Sequence, residues 1–456
     1  MSHHTFVVSL LLSVFALLLP CDVDAEPLAL SKTFWKDPNF VRTFLGSYQP
    51  NNRIEPFIND DERKVLQSLQ ALMREGKLST AISRLRSNQL VDASPALRLN
   101  LGNLLFEHGK WREAASAYEA ALKAYPDFRR AHAGLGFALV RQDRLKNALP
   151  HLQRAFALGD QSGTLLGLLG HCLLHDNKPH SALFAYQRAQ ITEPEQWDWK
   201  LGEAQCLHAS KEHGKAVAMF AEVLTSEPNR ADAWLLYAQA LIAAQRYEDA
   251  TATLELTDRL APLSGNDLMT LGDLYSLMGI SDSATARYRQ ALQANPVINL
   301  DLAINCVQAK AQQLQWHDAR ALLELVSMRE NVSKDPRYQR MQALIEMEIG
   351  DPSEAADILA SLLRNHPLDG EALILLARYR WEQKTYVESD ILFNQAKLVS
   401  ASEANACLEH ARLQVSVGAF QKALENINRA KELKPSELLA EYADQVAQAA
   451  RSTSSF

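Results

Sequence analysis

"PALRLNLGNLLFEHGKWREAASAYEAALKAYPD" occupies residues 95–127. Apolar residues recur at helical spacing on both sides of His108-Gly109-Lys110, and a proline closes the stretch. It reads as two helices joined by a tight turn. The same pattern returns along the chain. Steps of 34 from Gly102 land on Gly136, Gly170, Ala204, Ala238 and Gly272. From Ala114 they land on Ala148, Ala182, Ala216, Ala250 and Ala284, and from Pro126 on Asp160, Pro194, Pro228, Pro262 and Pro296. Three registers therefore keep one period through six units without an insertion. A glycine inside a helix costs about 1 kcal/mol relative to alanine, so its repeated use needs an offset. Close helix–helix approach is the expected one, with Gly102 facing Ala114. The prolines mark where one unit turns into the next.

The spacing of these residues resembles the tetratricopeptide repeat (TPR) family. The family's small-and-aromatic pattern is met by Leu101, Gly102, Leu105, Ala114, Tyr118, Ala121 and Pro126. It is met again by Leu268, Leu271, Gly272, Tyr275, Ala284, Tyr288, Ala291 and Pro296. Six regular units fill 95–298. A seventh, 299–335, is irregular, its Trp316 and Ala319 lying one residue late, and three more fill 336–435. A degenerate hairpin is expected at 59–94, and a polar capping helix at 436–451 closes the stack. The resemblance implies an all-α fold, a right-handed α-solenoid of about ten to eleven hairpins, well above the roughly three needed for stability. A soft joint is expected near 299–335.

Composition narrows the function. The 456-residue chain carries a net charge of -7 with no block of like charge, which disfavours nucleic acid and anionic lipid as partners. Residues 5–20, TFVVSLLLSVFALLLP, form an apolar run followed by small residues, so 1–25 is expected to be a signal peptide directing export to the periplasm. The leader departs from the usual pattern in having His3 and His4 but no Lys or Arg. Cys172 and Cys206 take the same position in adjacent units. Stacked helices sit about 8–10 Å apart, too far for a disulfide, so these cysteines are read as small buried residues. An array over 59–451 leaves no room for a catalytic domain. There is no phosphate-binding glycine loop, no CxxC and no HExxH, and the chain is read as a non-enzymatic protein that needs no cofactor. His171 and His175 stand four apart on one helix, with His208 in the next unit. No further ligand can be assigned, so no metal is expected and they are read as polar groove residues. The sequon Asn331-Val332-Ser333 is given no weight.

In the TPR family the first helix of each hairpin lines a concave groove through its second, fifth, ninth and twelfth positions. Mapped onto this sequence, the resemblance gives a partner-binding groove of Asn103, Phe106, Phe137, His171, Leu174, Gln205, His208, Gln239, Asp273, Arg340, Arg378 and Trp381. Leu99, Leu201, Leu235, Ile242, Met269, Arg337, Leu344, Met347 and Arg412 flank them. An apolar, amide- and histidine-rich channel should pass into a cationic one, matching a helix or extended peptide with an acidic end. The carboxylate clamp of chaperone-binding members is missing, since its positions hold Leu99, Asn103, Gly134, Thr164 and Leu168.

Residues 26–58 do not repeat. Their "FVRTFLGSYQPNNRIEP", with Phe40, Phe44 and Tyr48, is read as a docking segment that covers the first hairpin or meets another protein. The order of aromatics, asparagines and Glu55-Pro56 is similar to exported TPR proteins that accompany TonB-ExbB-ExbD systems. This implies a periplasmic accessory of TonB-type uptake, in contact with TonB, ExbB or ExbD components and touching the membrane only through a partner. The alternative is a scaffold for another envelope process, such as polysaccharide export or outer-membrane protein assembly.

Overall fold

The computed structural model describes residues 55–294, 299–329 and 332–453. The leader, most of 26–58 with Phe40, Phe44 and Tyr48, Pro296, and the sequon asparagine lie outside the described residues. Among the described residues there are 23 α-helices and no strand. In chain order they are α1 (Asp60–Arg74) and α2 (Leu78–Arg86), α3 (Pro95–Glu107) and α4 (Trp111–Ala124), α5 (Arg129–Val140) and α6 (Leu145–Ala157). Then come α7 (Gly163–His175) and α8 (Pro179–Thr192), α9 (Trp197–Ala209) and α10 (His213–Ser226), α11 (Ala231–Ala243) and α12 (Tyr247–Leu260). The series continues with α13 (Gly265–Leu277) and α14 (Ser281–Ala294), α15 (Leu300–Gln312) and α16 (Trp316–Ser327), α17 (Pro336–Ile349) and α18 (Pro352–Asn365). It ends with α19 (Gly370–Glu382) and α20 (Tyr386–Lys397), α21 (Glu403–Ser416) and α22 (Phe420–Leu433), and the single helix α23 (Glu437–Thr453). Each odd-numbered helix up to α21 pairs with the helix after it, and each pair stacks on the next within a unit.

Two compact units divide the chain between Pro262 and Leu263. The first holds hairpins α1/α2 to α11/α12, and the second holds α13/α14 to α21/α22 with α23 packed on α22. The division therefore precedes the joint expected at 299–335. That irregular stretch lies inside the second unit, where α14 packs on α16 as well as on α15. A fully buried lysine ties it together. Lys310 Nζ on α15 donates to the Ser281 carbonyl at 2.9 Å, to Ser281 Oγ at 2.9 Å and to Gln315 Oε1 at 3.1 Å. Three acceptors match the three ammonium hydrogens, which offsets the desolvation of the charge.

The turn inside most hairpins follows one design, α17/α18 excepted, where Gly350 has a φ of -122°. A residue in the left-handed region stands at Gly109, Asp143, Asn177, Lys211, Gln245 and Gly279, again at intervals of 34, and at Leu314, Lys384 and Gly418 further on. The next residue's N–H closes the first helix, as Lys110 does on the Leu105 carbonyl at 2.8 Å and Glu212 on that of Leu207 at 2.9 Å. The helix begins in the same way at several units, where Ser94, Ser162 and Ser264 accept from the backbone three residues on.

The repeated glycines serve a different contact from the expected one. The space where a Gly102 side chain would begin is filled by the ring of Tyr118, whose Cε1 lies 2.5 Å from an ideal Cβ. The same ring fills the place of a side chain at Gly134 of the next hairpin, 2.7 Å from an ideal Cβ there. Tyr186 likewise sits between Gly170 and Gly202, Tyr288 lies on Gly272, and Leu152 on Gly136. The glycine thus admits an aromatic or branched side chain from the second helix, and it does so between hairpins as well as within one. Trp199 on α9 uses Gly167 on α7 in the same manner.

Candidate partner-binding face

Successive first helices approach one another most closely at α3–α5, α5–α7, α7–α9 and α9–α11 in the first unit, and at α13–α15, α15–α17, α17–α19 and α19–α21 in the second. Among second helices, α14 and α16 stand out in this way. The side on which stacked elements converge is the inner side of a curved array, so within each unit the first helices form the inner face.

One register along that face carries six of the expected residues. Asn103, Phe137, His171, Gln205, Gln239 and Asp273 take the same place on α3, α5, α7, α9, α11 and α13. The structure separates them by what they already touch. Asn103 Oδ1 accepts from Tyr118 Oη at 2.8 Å, and Asp273 Oδ1 accepts from Tyr288 Oη at 2.7 Å. The tyrosine that a glycine admits thus reaches through to the inner face and binds the residue after that glycine. Burial pushes the Asp273 carboxyl up to about 6 despite the tyrosine hydrogen bond. Phe137 is buried, as are Phe106 and Leu174 three residues beyond the register on α3 and α7.

His171 is buried and meets the exposed His175 edge to face at 4.7 Å. Burial first, then the neighbouring imidazole, lower its pKa to about 3. His208 lies against His213 of α10, Nδ1 to Nδ1 at 3.4 Å, and is lowered to about 4 for the same reasons. Among the described residues no three His, Cys, Asp or Glu side chains gather as a metal site would need. The histidines pair within their own hairpins.

Gln205 and Gln239 differ from the rest. Gln205 is 8% exposed, and its Nε2 has no hydrogen-bond partner. On the next first helix Gln239 Oε1 is buried and has none either. A buried amide atom left unpaired costs roughly 1–3 kcal/mol, so two in one register on adjacent helices are an unmet demand.

In the second unit the expected cationic channel is neutralised internally. Arg340 is paired with Asp369, Arg378 with Glu348 at 3.6 Å, Arg412 with Glu409 at 2.7 Å, and Arg337 with both Asp301 and Asp335. The carboxylates come from neighbouring turns and hairpins, which the first-helix register does not display. Trp381 packs edge to face on Tyr386 at 4.8 Å and on His410 at 6.2 Å. Beneath it lies a network the sequence did not announce. Buried His410 stacks on Phe393 at 4.6 Å, its Nε2 meets Asp390 Oδ1 at 2.7 Å, and its Nδ1 meets Lys397 Nζ at 3.0 Å. Lys397 Nζ also donates to Asn426 Oδ1 at 2.7 Å, which joins three hairpin helices. A third histidine pair, His132 and His151, faces Nδ1 to Nδ1 at 3.1 Å. Spacing along a single helix does not reveal these contacts, because their members come from different helices.

All four cysteines of the described residues are buried, and burial pushes the Cys172 and Cys206 thiols up to about 12. No helix of the described residues is long and apolar enough to cross a membrane.

Comparison with known proteins finds the same repeat in the sequence. Two family models, each described as tetratricopeptide repeat, match residues 99–162 and 340–406 in one case and 207–265 in the other. A TPR repeat-containing protein of Treponema pallidum (strain Nichols) is 28% identical over 190 residues, which is 42% of this chain and 21% of the relative. The chain thus matches about a fifth of that relative's length. Among solved structures, YrrB, a TPR protein with an unusual peptide-binding site, is 23% identical over 41% of this chain and 92% of its own, with a TM-score of 0.35. PilW, a type IV pilus biogenesis factor, is 20% identical over 47% of this chain and 98% of its own, with a TM-score of 0.40. PilF of Pseudomonas aeruginosa is 19% identical over 45% of this chain and 94% of its own, with a TM-score of 0.38. The chain carries tetratricopeptide repeats, stacked as an α-solenoid.

Proposed function

We propose that this protein is a scaffold that holds an extended peptide segment of a partner protein along the first helices of its N-terminal unit. One observation carries the reading: Gln205 Nε2 and Gln239 Oε1, on consecutive first helices, have no hydrogen-bond partner. Stacked helices repeat about every 10 Å, close to the rise of three residues of extended chain at about 3.3 Å each. A strand laid across α9 and α11 therefore presents main-chain carbonyl and N–H groups to both amides. His208, Leu174 and Phe137 supply polar and apolar surroundings for its side chains. The protein acts by binding, without catalysis.

The apolar run at residues 5–20 supports export, and with it a periplasmic partner. The segment "FVRTFLGSYQPNNRIEP" favours a partner from a TonB-type uptake system. Crosslinking in cells followed by mass spectrometry decides between this and an envelope assembly or polysaccharide export machine, through the protein that is captured. The peptide so identified is then titrated by fluorescence anisotropy. Replacing both amides, as Gln205→Leu with Gln239→Leu, should weaken binding about tenfold, at roughly 0.5–1.5 kcal/mol per hydrogen bond. An unchanged affinity would remove Gln205 and Gln239 from the site.

A further inference from the structure

The two amides of the candidate site ask for different things. Gln205 Nε2 lacks an acceptor and Gln239 Oε1 lacks a donor. A peptide group supplies both, whereas a carboxylate meets only Gln205 and an ammonium only Gln239. The face around them has no charge to receive either ion. On α3, α5, α7, α9 and α11, neither the shared register nor the places four residues before and three after it hold Asp, Glu, Lys or Arg. The second unit differs. With the register shifted by three from α17 on, its first helices have Asp273, Lys310, Arg340, Arg378 and Arg412 in those places, one to each helix.

The charges that α7, α9 and α11 do carry are already engaged. α7 has no Asp, Glu, Lys or Arg along its whole length. On α9 and α11, Asp198 and Asp232 both pair with Arg230, at 2.9 and 3.0 Å. Lys200 pairs with Glu222 of α10, and Glu203 accepts from Gln187 Nε2 of α8 at 3.1 Å. His171 and His208, lowered to about 3 and about 4, are neutral at pH 7.

We infer that the N-terminal unit selects its partner segment for the absence of charge, so that about six consecutive residues without Asp, Glu, Lys or Arg lie across α7, α9 and α11. A side chain seated there loses water. A charge that loses water without a counter-ion is strongly disfavoured, so acidic and basic segments are rejected alike. Six extended residues cover about 20 Å, the span of two helix repeats of about 10 Å. The acidic end that the sequence gradient suggests for a partner finds no cation on this unit's face. The inference rests on the reading of that face as a peptide site.

The test pans the full-length protein with phage displaying random dodecapeptides at neutral pH, in parallel with the double variant Gln205→Leu, Gln239→Leu. Peptides retained by the first and lost from the second are expected to share a stretch of about six uncharged residues. One such peptide is then titrated by fluorescence anisotropy. It should lose at least about tenfold in affinity when its central residue becomes Lys, and as much when it becomes Glu. Gln239→Glu should restore the Lys peptide and weaken the Glu peptide further, a charge swap that a purely structural effect would not give. Lys and Glu peptides bound within about twofold of the parent, or responding alike to Gln239→Glu, would overturn the proposal. The Lys and Glu peptides are compared on the unaltered protein, so that arm stands where a variant fails to fold. If no peptide depends on the two amides, the peptide site itself fails and this inference with it. If amide-dependent peptides carry charge in the shared stretch, the requirement for neutrality alone fails.

Discussion

Gly102→Ala separates two accounts of the repeat glycines by sign. Helix propensity alone makes the change favourable by about 1 kcal/mol in a helix interior. The packing says otherwise. A new Cβ would stand 2.5 Å from Tyr118 Cε1, 2.7 Å from Cδ1 and 2.9 Å from Cζ, where ordinary contact begins near 3.4 Å. The ring must move by most of an ångström. It has little free room, because Gly134 also borders it, an ideal Cβ there standing 2.7 Å from the ring, and its hydroxyl is held by Asn103 at 2.8 Å. Overpacking of this kind costs about 1–3 kcal/mol, and with both sides of the ring confined the upper part of that range applies, so the net effect should be destabilisation by up to about 2 kcal/mol once the propensity gain is subtracted. The chain's own repeats show the permitted solution. Sixteen residues after each position in the glycine register stands its partner: Tyr118, Tyr186 and Tyr288 follow Gly102, Gly170 and Gly272. Phe220, Leu254, Leu359, Phe393 and Ile427 follow Ala204, Ala238, Ala343, Ala377 and Ala411. Tyrosine never follows alanine in this series. Tyr118→Leu should therefore cost less in the Gly102→Ala background than alone, with a coupling energy of about 1 kcal/mol or more. Stacked repeats open locally, so urea unfolding followed by circular dichroism should be joined by amide exchange of α3 and α5. A rise in stability for Gly102→Ala, or strict additivity with Tyr118→Leu, would refute the reasoning.

Two further outcomes follow from the turns and the histidine pairs. Leu314 holds a φ of 60° between α15 and α16, a region that a γ-branched side chain enters at a cost of roughly 1–2 kcal/mol. Leu314→Gly should raise the melting temperature of the second unit, after the extra chain entropy of glycine takes back part of that gain; an unchanged or lower value counts against strain at this turn. Acid should weaken the first unit. His171 has its folded pKa lowered to about 3, below an unfolded value near 6.5, so the unfolded chain binds the extra proton first. Its contribution is whole above pH about 6.5 and is lost toward the folded pKa, at up to about 1.4 kcal/mol per pH unit. His208 titrates in the same sense toward about 4, and His132 and His151 are lowered too. Urea midpoints measured from pH 7 to about 4.5 should fall less steeply for His171→Gln, which separates the histidine from the carboxylates; equal slopes would discard it.

How far the sequence could be read depended on how many helices a feature involves. The hairpins and turns were legible because each is local. A turn needs one residue in the left-handed region and a helix needs its own apolar spacing, so a period of 34 in the residues carried straight into a period of 34 in the backbone. The contact made by Gly102 was not legible. It involves Tyr118 on the second helix and Gly134 on the following first helix, and a count along one helix points instead at Ala114. The apparent cationic channel failed for the same reason. The register displays Arg340 and Arg378 but hides Asp369 and Glu348, which reach them from other turns.

The inner face can be sorted by that same criterion into residues that serve the array and residues that are left over. Asn103 and Asp273 are bound by a tyrosine from behind, and the second unit's arginines are bound by carboxylates from the side. A tyrosine of this kind requires the glycine register, and the hairpins of Gln205 and Gln239 have Ala204 and Ala238 there, with Phe220 and Leu254 behind them. Phenylalanine and leucine fill the space but offer no hydroxyl. The absence of a hydroxyl at these two hairpins is therefore a consequence of the packing choice beneath the face: it leaves Gln239 Oε1 without a donor and Gln205 Nε2 without an acceptor. That is why the candidate site centres on α9 and α11, although the register itself runs the length of both units.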